Sequence, residues 1–176
     1  MTTRLFKSDL LGATVSLNTL QIFFWGGIFS QWAKSDFYDK DIDITFNCAE
    51  QAMMYKKAML FKDEEAMKTI IAQDDPRNMK AIGRTIKNYD DALWTEHRYN
   101  IVRNINVMKF SQNSKFKDLL LLTDGFELVE CSPEDKIWGI GLSENDPDVL
   151  DRNKWKGINL LGQSIVEARN IIIQDL

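Results

Sequence analysis

The chain is poor in the residues that carry much well-known chemistry: it has two cysteines, three prolines, nine glycines and one histidine among 176 residues. Cys48 and Cys131 make no disulfide framework, and a reducing compartment is the simpler setting. A lone His97, set in the charged stretch Thr95-Glu96-His97-Arg98 and expected to be exposed, supports neither a Ser-His-Asp triad nor a His-based metal centre. There is no CxxC pair, no HExxH and no P-loop. So little glycine and proline excludes a collagen-like or low-complexity chain. No segment reaches the ~20 apolar residues that cross a bilayer. The start lacks the basic, apolar and small-residue succession of a signal peptide. A soluble, cytoplasmic protein is expected, with no membrane partner. Basic charge is also scarce, with 22 Lys+Arg against 26 Asp+Glu. That weighs against a surface built for long nucleic-acid tracts.

What is present is a globular composition, 44% hydrophobic and 27% charged. At this length roughly 70% of the unfolded surface can be buried, so no staple is needed. A single domain over 1–176 is expected. Strands are read at 21–25, ending at Gly26-Gly27, at 41–46 from its two-residue alternation, and at 126–131. A short glycine-broken strand is read at 137–142, and residues 29–37 as an aromatic loop. Asn47 reads as an N-cap with Glu50 completing an imperfect capping box. Helices follow over 48–61, 63–73, 76–82 (Asp75 as cap, Pro76 at its first position, Gly83 at its end), 89–109, 114–122 and 160–173. The total predicts an α+β domain, compact and helix-rich, with a few short strands.

Three clusters have chemical potential. Phe23-Phe24-Trp25-Gly26-Gly27, with Phe29, Ser30 and Trp32 after it, offers glycines for close backbone approach and aromatics for stacking; a tight turn in an aromatic core explains it as well. Glu50 and Lys57, seven residues apart, fall on one face of a helix shared with Met54 and Phe61. Charges on an apolar face are costly unless paired or used, although a snorkelling lysine and a helix-start acid account for the same pattern. Glu130 to Gly141 gathers Glu134 and Asp135 beside Trp138, Gly139 and Gly141, where a carboxylate near an indole can be tuned as an acid or base. Asn159 opens the last helix and reads as a cap or an anion-binding start. Met53, Met54, Met59 and Met67 read as core, and Lys109, Lys115 and Lys117 as solvated surface.

Taken in order, these pieces resemble the NADAR, or YbiA-like, family over residues 23–169. Phe24-Trp25-Gly26-Gly27 with Phe29-Ser30-Gln31-Trp32 is similar to its N-terminal aromatic loop. FNCAEQAMMYKKA is similar to its segment with a Glu and, seven residues on, a Lys. Asp75-Pro76 to Arg84, Lys109-Phe110 with Gln112-Asn113, and Leu119 to Thr123 resemble its next blocks. So do Leu128-Val129-Glu130 through Trp138-Gly139-Ile140-Gly141, and Gly157, Asn159, Leu160, Gly162 and Arg169. Residues 143–155 are longer than the family's usual link.

The resemblance implies an N-glycosidase or an ADP-ribose-handling protein. Some members cleave N-ribosyl intermediates of riboflavin synthesis, and others remove ADP-ribose from guanine. A nucleic acid then enters only as carrier of a modified base. Breaking a C1′–N bond builds positive charge on the sugar, which carboxylates stabilise. On this reading Glu50 and Asp135 are the acids. Lys57 either positions Glu50 or attacks the sugar aldehyde as a Schiff-base amine. Trp25, Gly26, Gly27, Phe29, Ser30, Trp138, Gly139, Asn159 and Arg169 would bind the substrate. The chemistry calls for no metal and no cofactor. The alternative is a module that binds ADP-ribose or NAD without cleaving it.

Overall fold

The computed structural model describes residues 5–176. In chain order the elements are β1 (Leu5–Ser8), β2 (Ala13–Ser16), β3 (Gln21–Phe24), β4 (Lys34–Asp39), β5 (Ile44–Cys48), α1 (Ala49–Leu60), α2 (Glu64–Ile71), α3 (Pro76–Gly83), α4 (Asp91–Ser111), α5 (Ser114–Leu121), β6 (Glu127–Glu130) and α6 (Leu160–Gln174). Single 3-10 turns occupy Gly27–Phe29 and Arg152–Lys154. Six helices and two small sheets among the described residues make the α+β class expected from sequence. The chain forms two compact units, one from the segments up to Ser30 and from Lys115 to Leu176, the other from Gln31–Ser114.

The first unit is a four-stranded sheet in the order β1-β2-β3-β6. The first three strands run as an antiparallel meander, and β6 joins β3 in parallel. Parallel partners cannot be joined by a hairpin, and the connection here carries the whole second unit. Phe23, Val129, Cys131, Ile140, Leu142 and Val149 form a core cluster, with Leu150 and Trp155 packed against it. The segment expected as a strand at 137–142 is a run of turns instead. Its backbone bonds to residues 156–161 rather than to a sheet: Lys156 N–H to Ile140 O at 2.8 Å, Asn159 N–H to Gly139 O at 3.1 Å and Leu161 N–H to Trp138 O at 3.1 Å. A Cβ on Gly157 would sit 2.3 Å from the Gly139 carbonyl oxygen, so this interlocking of two loops requires glycine.

In the second unit an antiparallel β4–β5 hairpin leads directly into α1, which packs against α2, α3 and α4. The expected loop over 29–37 is in part β4, where Ser35, Phe37 and Asp39 are buried and Lys34, Asp36 and Tyr38 are exposed. That two-residue period was present in the sequence beneath its aromatic content. Ala49, Ala52 and Ala58 are fully buried, and these small side chains let the neighbouring helices approach α1 closely. Three helices start on aspartates that accept a backbone N–H: Asp63 from Ala66, Asp75 from Arg77 and Asp90 from Leu93. Gln112, just past α4, bonds both backbone groups of Tyr38 at 2.8 Å, pinning the helix end to β4.

Candidate active site

The junction of β5 and α1 departs from the sequence reading. The N-cap is Cys48, still extended at φ −163° and ψ 165°, not Asn47. Gln51, not Glu50, reaches back to the strand: its Oε1 accepts the Asn47 N–H at 2.9 Å. Its Nε2 donates to the carbonyls of Ile70, Ile71 and Gln73. The locking role expected of Glu50 therefore falls to its neighbour. The Glu50 backbone N–H donates to the Gln31 carbonyl at 2.9 Å. Its residue is only 5% exposed, in the first turn of α1, where the helix dipole favours an anion.

Cys48 is buried beside it, and burial pushes its thiol up. The Glu50 charge adds to that rise and the Lys109 charge opposes it, so both act on the start of α1. Lys109 corrects the expectation of a solvated side chain, because it is fully buried in the last turn of α4. Burial pulls its ammonium down to about 7. Its Nζ lies 4.9 Å from the Phe110 ring centroid. Of the lysines grouped with it, Lys115 is exposed and Lys117 half-buried. A lysine in a last helical turn normally reaches water and gains from the dipole there, so local sequence gave no signal of this burial.

Lys57 shares α1 with Glu50 but is engaged elsewhere. Its ammonium donates to the Gly83 carbonyl at 2.7 Å. It lies 4.5 Å from the centroid of the Tyr89 ring and 5.5 Å from that of Trp94. Burial lowers its pKa, and Asp91 opposes that shift.

The other candidates lie in the first unit. Trp25 is 64% exposed, and Gly26 and Gly27 after it are exposed too. Phe29 is buried against Phe24, ring centroids 5.3 Å apart, and Ser30 is half-buried. Asp135 closes a turn, its Oδ1 accepting the N–H groups of Ile137 at 2.9 Å and Trp138 at 2.8 Å. Trp138 is half-buried, and a Cβ on buried Gly139 would meet the Glu130 carbonyl at 2.9 Å. Asn159 occupies the N-cap of α6 but its side chain caps nothing there. It holds β6 instead, accepting from Glu130 N–H at 3.0 Å and donating to Leu128 O at 2.9 Å. Arg169 is buried and donates to Thr123 O, Thr123 Oγ1 and Phe126 O. Both border a pocket of about 400 Å³ with Glu127, Arg152 and Gly162.

Among the described residues no cluster of three His, Cys, Asp or Glu side chains is arranged to hold a metal ion. Among the described residues no helix is long and apolar enough to cross a membrane. These features define an α+β protein whose distinctive polar group is a buried helix-start carboxylate with a buried lysine acting on the same helix start. The chain belongs to the NADAR domain family, whose model matches residues 23–173. It is similar to the N-glycosidase R617 of Acanthamoeba polyphaga mimivirus, 39% identical over 145 residues that cover 81% of this chain and 85% of that one. Protein irg-1 of Caenorhabditis elegans is 37% identical over 72% of this chain, which spans 60% of that relative's length. The solution structure of the Escherichia coli protein YbiA has the same fold, with a TM-score of 0.71 over 88% of this chain and 85% of that one, at 24% identity.

Proposed function

We propose that the protein is an N-glycosidase that hydrolyses the C1′–N bond of an N-ribosyl or ADP-ribosyl substrate. One observation carries the reading: Glu50 is a buried carboxylate, 5% exposed, in the first turn of α1. The name N-glycosidase borne by the mimivirus relative supports it. In the reaction the C1′–N bond breaks and its electron pair goes to the base nitrogen. A water oxygen bonds to C1′, and the proton that water loses replaces the one the base takes up. Glu50 is assigned the electrostatic and acid/base role at the sugar cation. Lys57 is assigned the positioning role, acting on Glu50 indirectly through α1, the helix that it ties to the Gly83 carbonyl. Asp135 is the second proposed acid, using the oxygen that does not close its own turn. Trp25, Gly26, Gly27, Ser30 and Trp138 are the proposed substrate contacts. ADP-ribosyl-guanine and a ribosylaminopyrimidine are the two substrate candidates, handled in a cytoplasmic setting.

The test is release of free base from ADP-ribosylated guanosine and from the ribosylaminopyrimidine by wild type, Glu50→Gln, Lys57→Ala and Asp135→Asn. Glu50→Gln is expected to lose about 100-fold or more in kcat. Wild-type rates in all three variants would remove the site assignment. Tight ADP-ribose binding without turnover of any N-riboside would make the protein a binding module.

A further inference from the structure

Gln31 is fixed to the first turn of α1 by its own main chain, whose carbonyl accepts the Glu50 N–H at 2.9 Å. Its side chain is not fixed in the same way. The residue is 8% exposed, and neither Oε1 nor Nε2 has a hydrogen-bond partner. Gln51, on the same helix start, shows what a structural carboxamide does: its oxygen and its nitrogen both bond to backbone. A buried amide with both ends unsatisfied opposes folding, and a leucine would fill the same space without that penalty. Such a group is explained when a ligand completes it.

We propose that the Gln31 carboxamide is a specificity-determining group that hydrogen-bonds the vicinal hydroxyls of the ribosyl ring whose anomeric carbon is presented to Glu50. The inference deepens the N-glycosidase reading and rests on it. A carboxamide offers an acceptor and two donors side by side, and a cis-diol offers two hydroxyls that each donate and accept. The diol adjoins the anomeric carbon in every substrate of this class, whichever base departs. A hydrogen bond to the 2-hydroxyl also strengthens as the sugar becomes cationic. A phosphate would use the donor half of the amide and leave Oε1 unmet. A site built to bond a hydroxyl discriminates sharply against the analogue that lacks it.

The experiment pairs ADP-ribosylated guanosine with its counterpart lacking the 2-hydroxyl on the scissile ribose, each with wild type and Gln31→Leu. Wild type is expected to favour the hydroxylated substrate by about 100-fold or more in kcat/KM. Gln31→Leu should lose most of that preference, its rate falling at least about tenfold more on the hydroxylated substrate than on the deoxy one, which keeps only the 3-hydroxyl contact. Equal losses on both substrates would assign the amide to the base or to packing and overturn the proposal, as would an unchanged preference. The melting temperature gives a second readout: Gln31→Leu should melt at or above wild type, and a fall of more than about 5 °C would make the amide structural. If wild type turns over neither these substrates nor the ribosylaminopyrimidine, the N-glycosidase reading fails separately. Gln31 is then judged by thermal shifts with ADP-ribose and its 2-deoxy counterpart on that ribose. Wild type should respond more to ADP-ribose and Gln31→Leu should respond equally to both; matching responses in the two proteins overturn the assignment.

Discussion

The ammonium of Lys57 donates to the carbonyl of Gly83 at 2.7 Å, tying the last turn of α1 to the last residue of α3. Two aromatic faces, Tyr89 and Trp94, flank the same nitrogen. Loss of a charge-assisted hydrogen bond and its cation–π contacts is worth about 1–3 kcal/mol, so Lys57→Met should lower the urea midpoint with an unchanged slope. Borohydride added during turnover should trap no adduct at Lys57. A trapped peptide containing Lys57 would restore the Schiff-base role.

Lys109 should leave a signature in the pH dependence of stability. Its folded value of about 7 lies below the ordinary lysine value, so above pH 7 the unfolded chain binds more protons than the folded one. The penalty is present in full below pH 7 and is relieved as pH rises towards about 10.4. The buried thiols act with the opposite sign: Cys131 is pushed up to about 12 and Cys48 is raised, so both disfavour folding once unfolded thiols ionise near 8.5. The clean window is therefore about pH 7 to 8.5, where wild type should gain roughly 2 kcal/mol. Lys109→Met should flatten that gain in urea titrations at several pH values. Parallel curves for the two proteins would contradict it.

Gly162 tests the packing of α6 on β6. A Cβ there would lie 2.0 Å from the Leu128 carbonyl oxygen, a backbone atom that cannot swing away. Gly162→Ala should cost about 3 kcal/mol or more, or prevent soluble expression. Gly125 is the control, with open space around it and a φ of +80°. Gly125→Ala should cost only about 1 kcal/mol, the strain of a left-handed backbone. Similar melting temperatures for the two variants would show that α6 has room to shift.

Arg169 separates a structural from a binding role. Its guanidinium bonds three oxygens of the turn that leads into β6. Arg169→Met strands those acceptors and should cost about 3 kcal/mol, while KM stays within about threefold. A tenfold rise in KM with unchanged stability would return Arg169 to the substrate.

Much of the fold was legible in local pattern. The Asp75 cap, Pro76 at a helix start and the alternation before α1 each act within a few residues, so sequence alone determined those elements to within about three positions, while the caps Asp63 and Asp90 were not read from it. The family blocks were legible for the same reason, and they led to Glu50. Other features were decided by residues distant along the chain. Gln51, not Glu50, took the Asn47 N–H, and its other end reached the carbonyls of α2 and its following turn. Lys109 is fully buried at the end of a helix that packs on α1 and β4, which no helix-end propensity encodes. Asn159 turned from its helix to β6 because the Leu128 and Glu130 backbone was in reach of its side chain, and 137–142 became turns rather than strand because its carbonyls found the N–H groups of residues 156–161. Hydrogen bonds and burial between remote segments depend on which surfaces meet, and only the tertiary structure decides that.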